Sequence, residues 1–172
     1  EDRGGCPCRL FLDFTEVDTM SVQSVDLFVR EDAGVLLSDI VHKEEFGEDY
    51  IVSVPRTRLK LCVWAGRGDA LSESVSIPYG EDCPPVYIHS TEIDASYEMM
   101  SETIIMRKNF CRMTLNIKMS VQSFVGLAVS GNVNGYESDG TPSSGDFNVR
   151  LYPENDSSFC FFDIIICCCQ KL

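Results

Sequence analysis

Between Arg58 and Gly66 the chain reads Arg-Leu-Lys-Leu-Cys-Val-Trp-Ala-Gly, and this run constrains the fold more than any other. Leu59, Leu61, Val63 and Ala65 fall on one side of an extended backbone, with Arg58, Lys60, Cys62 and Trp64 on the other. A period of two is that of a strand with one face on a core. Cys8 to Phe14, Val25 to Arg30 and Tyr50 to Val54 are runs of the same kind, each short and each ended by polar or turn-forming residues. The first hundred residues therefore read as a β-sandwich.

In chain order, Cys8, Leu10, Leu12 and Phe14 alternate with Arg9, Phe11 and Asp13. Val25, Leu27 and Val29 oppose Asp26, Phe28 and Arg30, and Glu31-Asp32-Ala33-Gly34 turns the chain back through Val35-Leu36-Leu37 as a hairpin. His42 to Glu48 is charged and reads as a surface loop or a single helical turn. Pro55 ends the Tyr50 strand, because it cannot donate to a central ladder. After Gly66 and Gly68, residues Asp69 to Asp82 read as a long connection, with Ala70-Leu71-Ser72-Glu73 as a short helical turn. Val86-Tyr87-Ile88 is one more brief strand.

A second unit is expected to begin between Ala95 and Glu102, giving two domains, 1–100 and 101–172. From Thr103 the chain is extended, with Cys111, Met113, Leu115 and Ile117 opposed to Phe110, Arg112, Thr114 and Asn116. Val125, Leu127 and Val129 form a strand ended by Gly131-Asn132. The Gly-, Ser- and Asn-rich stretch from Asn132 to Gly145 reads as a loop of about a dozen residues, expected to be mobile. Phe147, Val149 and Leu151 alternate next, Tyr152 to Asp156 turns, and Phe159 to Cys169 reads as a buried strand or a swapped edge. Four candidate strands after Met106 are too few for a full sandwich, so this half is incomplete or something else fills its edges.

Composition narrows the class further. At 172 residues with 44% apolar content the chain can bury a core in one or two domains. A net charge of −13 argues against nucleic acid, whose phosphates require clustered Lys or Arg. Nine cysteines are an odd number, so at least one has no partner within the chain. Neither the Cys6/Cys8 spacing nor the consecutive Cys167, Cys168 and Cys169 suits a bridge between neighbours. Cys62, Cys83, Cys111 and Cys160 stand singly and read as buried thiols, Cys111 on the apolar phase of its run. The chain opens at Glu1 with no visible signal peptide, and no apolar run reaches the roughly 18 residues of a membrane span.

The chemistry-bearing patterns are sparse. No Cys-x-x-Cys accompanies His42 or His89 to make a zinc site, and His89 reads as a strand-end surface residue. Gly66-Arg67-Gly68 and Gly131-x-x-x-Gly135 lack the strand and helix that a nucleotide loop needs. No nucleophile elbow or triad is present. Asp13 and Asp26, if on neighbouring strands, could form a carboxylate pair of the glycosidase kind. Phe11, Phe28, Tyr50 and Trp64 could line a sugar-binding face, although such residues are more often core or half-buried sheet packing. No catalytic residue, metal or cofactor is assigned, and the expectation is a protein that is not an enzyme.

Three motifs in order, Cys6-Pro7-Cys8-Arg9-Leu10-Phe11-Leu12-Asp13-Phe14, Val25-Asp26-Leu27-Phe28-Val29-Arg30-Glu31-Asp32-Ala33-Gly34 and Leu59-Lys60-Leu61-Cys62-Val63-Trp64-Ala65-Gly66, resemble the FimB-type fimbrial anchor lipoproteins of Bacteroidetes. The resemblance runs from about Cys6 to Leu151, with Thr103 to Ile117 similar to the opening strand of that family's second domain. It implies an all-β chain of two tandem transthyretin-like β-sandwiches, the second short or incomplete. It also implies an outer-membrane, cell-surface role in anchoring, assembly or length control of fimbriae, and hence in adhesion. The implied partners are fimbrial subunits or a second copy joined by strand exchange, with a lipid anchor outside this chain. Neither Cys6 nor Cys8 follows the apolar, small-residue stretch that marks a lipid-bearing cysteine, so lipidation is assigned to no residue here. A carbohydrate-binding or surface-receptor module on the same fold is the rival reading.

Overall fold

A computed structural model of the chain describes residues 6–47, 49–66, 74–77, 81–118, 124–152 and 159–167. Its strands in order are β1 (Cys8–Asp13), β2 (Ser24–Glu31), β3 (Gly34–His42), β4 (Tyr50–Val54), β5 (Arg58–Ala65), β6 (Val75–Ser76) and β7 (Tyr87–Asp94). They continue with β8 (Met99–Thr103), β9 (Arg107–Lys108), β10 (Phe110–Lys118), β11 (Val125–Tyr136), β12 (Pro142–Leu151) and β13 (Phe159–Cys167). Among the described residues the helical content is one 3-10 turn, Lys43–Glu45, in the charged stretch that reads as a loop or helical turn. No helix among them is long and apolar enough to cross a membrane.

The chain divides into two compact units, one of residues 1–71 and 87–107, the other of residues 72–86 and 108–172. In the first, a sheet of order β4-β1-β8 and a sheet of order β3-β2-β5-β7-β9 enclose the core. Alternation decides what is inside. Leu59, Leu61, Val63 and Ala65 of β5 meet Leu10 and Leu12 of β1 and Leu27 and Val29 of β2, all buried. Each such Leu or Val side chain contributes roughly 1.5–3 kcal/mol when fully buried. Phe14 stacks on Phe46 with centroids 5.3 Å apart and meets the edge of Tyr50 at 5.8 Å, closing one end of the core.

The turn at Gly34, whose φ of +145° suits glycine, returns β3 antiparallel to β2 as the sequence predicts. Gly66 adopts φ +79° where β5 stops. The strand read at Val86-Tyr87-Ile88 is in fact the eight-residue β7, which pairs with β5 along its length. Its second half, Ser90-Thr91-Glu92-Ile93-Asp94, is too polar to show the alternation. β8 is unforeseen: Met99–Thr103 runs parallel to β1, Arg9 opposite Met99 through Asp13 opposite Thr103. Only its partly buried Met100 packs on the core, so periodicity gives little sign of it.

In the second unit, β10 pairs antiparallel with β13, and β12, β11 and β6 form a second sheet. The stretch from Asn132 to Gly145 is not a long loop, a correction with a clear cause. β11 runs through Gly131 and Asn132 to Tyr136 by two register shifts, at Val129/Asn132 and Val133/Gly135. Bulges absorb the residues that look like breakers, and Pro142 sits at the first position of β12, where a missing N–H is tolerated. What remains is a tight turn in which Gly140, at φ +84°, donates its N–H to Glu137 O and Glu137 N–H bonds Thr141 O. The proposed helical turn at Ala70-Leu71-Ser72-Glu73 lies outside the described residues, as does most of the turn from Tyr152 to Asp156.

Candidate functional site

Among the described residues, the second unit buries its interior less fully than the first. Its inward positions keep the period of two, with Met113 and Leu115 on β10, Leu127 and Val129 on β11, and Val149 and Leu151 on β12. They gather around Ile164 of β13, which is 2% exposed, yet each of the six is only partly buried. The corresponding inward residues of β1, β2 and β5 in the first unit are exposed by 3% or less, save Ala65 at 4%. Among the described residues β10 and β13 stand alone in one of the two sheets, and these residues leave the interior only partly covered.

β13 explains its own odd sequence. Phe162 stands opposite Leu115 and Ile164 opposite Met113, facing inward, while Asp163 between them faces out. There Thr114 Oγ1 donates to Asp163 Oδ1 at 2.6 Å, a cross-strand polar pair that pins the register of the two strands. The segment preceding β7 is tied to the same strand, since Cys83 N–H donates to Ile165 O at 2.9 Å. Among the described residues no strand runs along the other edge of β10. β6, among the described residues, pairs with Gly135 and Tyr136 at one end of β11, and Ile77 N–H adds a bond to Asn134 O at 2.8 Å. Backbone donors and acceptors along an open edge are a template for another chain.

The residues singled out for chemistry do not assemble. Asp13 ends β1 and Asp26 lies in β2, and these strands belong to different sheets, so the carboxylate pair does not form. Asp13 instead accepts the N–H and hydroxyl of Thr15 at 2.9 and 2.7 Å. Phe28 and Trp64 are buried, at 1% and 0% exposure, and so line no open sugar face. Phe11 and Tyr50 lie on the other sheet, at the rim of a cleft.

His42 is exposed at the start of the 3-10 turn, where its N–H donates to Glu45 Oε2 at 2.8 Å. His89, read as a surface residue, is mostly buried within β7: its Nδ1 accepts Ile105 N–H at 3.2 Å, and its Nε2 lies 3.5 Å from Glu102 Oε1. Burial lowers its pKa against the opposing pull of these partners. Cys83 is disulfide-bonded rather than a thiol, and Cys111 is exposed rather than buried, while Cys62 is buried as expected. Among the described residues no group of three or more His, Cys, Asp or Glu is placed to hold a metal.

Both units are all-β, and the arrangement is that of a β-sandwich protein. Solved structures share the fold. The fimbrial anchor protein Mfa2 from Porphyromonas gingivalis superposes with a TM-score of 0.63 at 12% identity, over 97% of this chain and 75% of that one. An adhesin candidate from Bacteroides ovatus ATCC 8483 gives 0.67 at 10% identity, over 100% of this chain and 72% of that one. Another from Bacteroides thetaiotaomicron gives 0.56 at 12%, over 97% and 73%. No protein-family model matches the sequence, and neither does any curated protein. The resemblance to the fimbrial anchors read from the sequence holds as a likeness of fold.

The edges of β10 and β11 are the site that the sequence shows only in outline. Leu127, Val129, Val149 and Leu151 announce themselves by alternation, whereas β6 does not: Val75-Ser76-Ile77 is one apolar beat in a polar stretch.

Proposed function

We propose that the chain is a non-enzymatic cell-surface component of fimbriae, acting in their anchoring, assembly or length control and hence in adhesion. It engages a fimbrial subunit by accepting an extended segment along the open edge of β10. Backbone hydrogen bonds provide the pairing, and alternate apolar side chains of the guest complete the half-covered interior around Ile164. Attachment to the outer membrane through a lipid group outside this chain, and pairing with a second copy, belong to the same reading. The observation that carries it is the contrast between the closed core of the first unit and the partly buried Met113, Leu115, Leu127, Val129, Val149 and Leu151 of the second.

The test uses the full chain mixed with purified fimbrial subunits from a fimbriated Bacteroidetes host. A complex should elute as one species on size exclusion, and β10 amides should gain protection from hydrogen exchange. Leu115→Lys, which turns a charge into the interior, should abolish the complex, while Asn116→Lys on the exposed outer face should not. Equal binding by both variants, or protection confined to the first unit, would overturn the reading.

A further inference from the structure

We infer that a cleft at the end of the first unit's smaller sheet, where the outward-facing Phe11 and Asp13 meet Phe46 and Tyr50 at the rim of the core, receives a lysine or arginine side chain presented by another polypeptide. This site lies in the other unit from the β10 edge and does not depend on that reading. The cleft has a volume of about 380 Å³, and among its walls are Phe11, Phe46, Tyr50, Met99, Asp13 and Asp49. It is built by register. Phe11 of β1 stands between Ile51 of β4 and Ser101 of β8, and Arg9 stands between Ser53 and Met99. The outer face therefore presents Ile51 and Met99, exposed by 40% and 59%, beside the aromatic ring.

Three features select a cation on an apolar stem. Aromatic faces attract ammonium and guanidinium groups, and Phe11 already carries the Arg9 guanidinium 5.4 Å from its centroid on one side. Apolar walls suit the methylenes of Lys or Arg, which lie along such surfaces while the charged head seeks a partner. Finally, the Asp13 carboxylate is held by neutral donors, the N–H and hydroxyl of Thr15 and the hydroxyl of Thr103, which keep its pKa below the usual carboxylate value without cancelling its charge.

Among the described residues no cation pairs with Asp13 or Asp49. Tyr50 is fixed in place by the bond from its phenol to Asp39 Oδ2, which puts a third carboxylate behind the ring. An anionic ligand is repelled by this arrangement, and a neutral sugar makes no use of it. The net charge of −13 draws basic partners toward the whole molecule.

Amide chemical-shift titration of the full chain tests this with four probes: the acetylated methylamides of arginine, lysine and the neutral isostere citrulline, and methyl glucoside. The two cations should move the amides of Phe11, Asp13, Tyr50 and Met99 and bind about fivefold or more tighter than citrulline, as expected for a partly exposed cation–π and charge contact. Asp49→Asn, which removes charge without touching the Thr15 turn, should weaken the cations and leave citrulline unchanged. Asp13→Asn should do the same more strongly if it folds. Equal affinity for arginine and citrulline, shifts centred elsewhere, unaltered cation binding by Asp49→Asn, or a response to methyl glucoside alone would each overturn the assignment.

Discussion

A Cβ placed on Gly135 would overlap the backbone oxygen of Val75. The contact is backbone against backbone, so no rotamer change relieves it. Gly135 is thus the point at which β11 admits β6 alongside it, opposite Ser76 in the ladder. Gly135→Ala is expected to push β6 off and cost about 1–3 kcal/mol, the range of an overpacked site. Gly126 in the same strand has nothing within 4 Å of its would-be Cβ, and Gly126→Ala should change stability by no more than about 0.5 kcal/mol. Urea unfolding of the two variants checks the contrast, with hydrogen exchange at Ile77, whose N–H bonds Asn134 O, reporting release of β6.

The two units should also differ in how much a lost methylene matters. Leu61 is fully buried, so Leu61→Ala leaves a cavity that its neighbours cannot fill and is expected to cost about 2–5 kcal/mol. Leu127 is already partly open to water, and Leu127→Ala should cost well under about 2 kcal/mol. Native-state hydrogen exchange should accordingly show β10 to β13 opening at lower free energy than β1, β2 and β5. Equal protection across both units would contradict the contrast in core coverage.

What could be read from the sequence follows the strength of its alternation. β1, β2, β4 and β5 each place residues on a dense core, so periodicity, Gly34 and Pro55 mark them almost to the residue. β8 sends little but Met100 inward and borrows its order from the backbone of β1, a long-range pairing that local pattern does not encode. The β11–β12 hairpin was hidden by Gly131, Asn132, Gly135 and Pro142, breakers in a regular strand and tolerated components of a bulged one. At the site, the apolar beats of β10 to β12 were visible, but which edge stays open depends on where Cys83 and β6 attach. That depends on a crossing of residues 72–86 into the second unit, which leaves no periodic trace.

The cysteines give a test of placement at residue level. Cys6 and Cys111 are exposed thiols, Cys8 and Cys62 are buried ones, and burial raises the Cys8 pKa despite the nearby Arg56 charge. Thiolate is the reactive form, so for Cys8 burial and ionisation both disfavour reaction. Brief iodoacetamide treatment of the native protein, read by peptide mass spectrometry, should label Cys6 and Cys111 and spare Cys8 and Cys62. Labelling of all four should follow denaturation. Early modification of Cys62 would mean that the sheet carrying Trp64 is less closed than its burial indicates.

Acid should destabilise the protein in two stages. His89 has its pKa lowered below 6.5, chiefly by burial, while Ile105 and Glu102 oppose the shift and Arg107 adds to it. The neutral ring is therefore the form that the fold prefers. At pH above 6.5 the ring is neutral both folded and unfolded, and its contribution is fully present. As pH falls below 6.5 the unfolded chain takes up the proton first, and stability drops until the folded-state pKa is passed. Asp13, Asp18 and Asp94 are lowered from 3.8 by bonds from Thr15, from Ser21 with Met20, and from Ser96, so their contribution is lost only below that value. Urea midpoints measured between pH 8 and pH 3 should show both declines. His89→Asn should lower the midpoint at pH 8 and remove the decline that begins near pH 6.5, leaving the acidic one in place. A wild-type midpoint flat from pH 7 to pH 4.5 would mean that the ring is not neutral between Ile105 and Glu102.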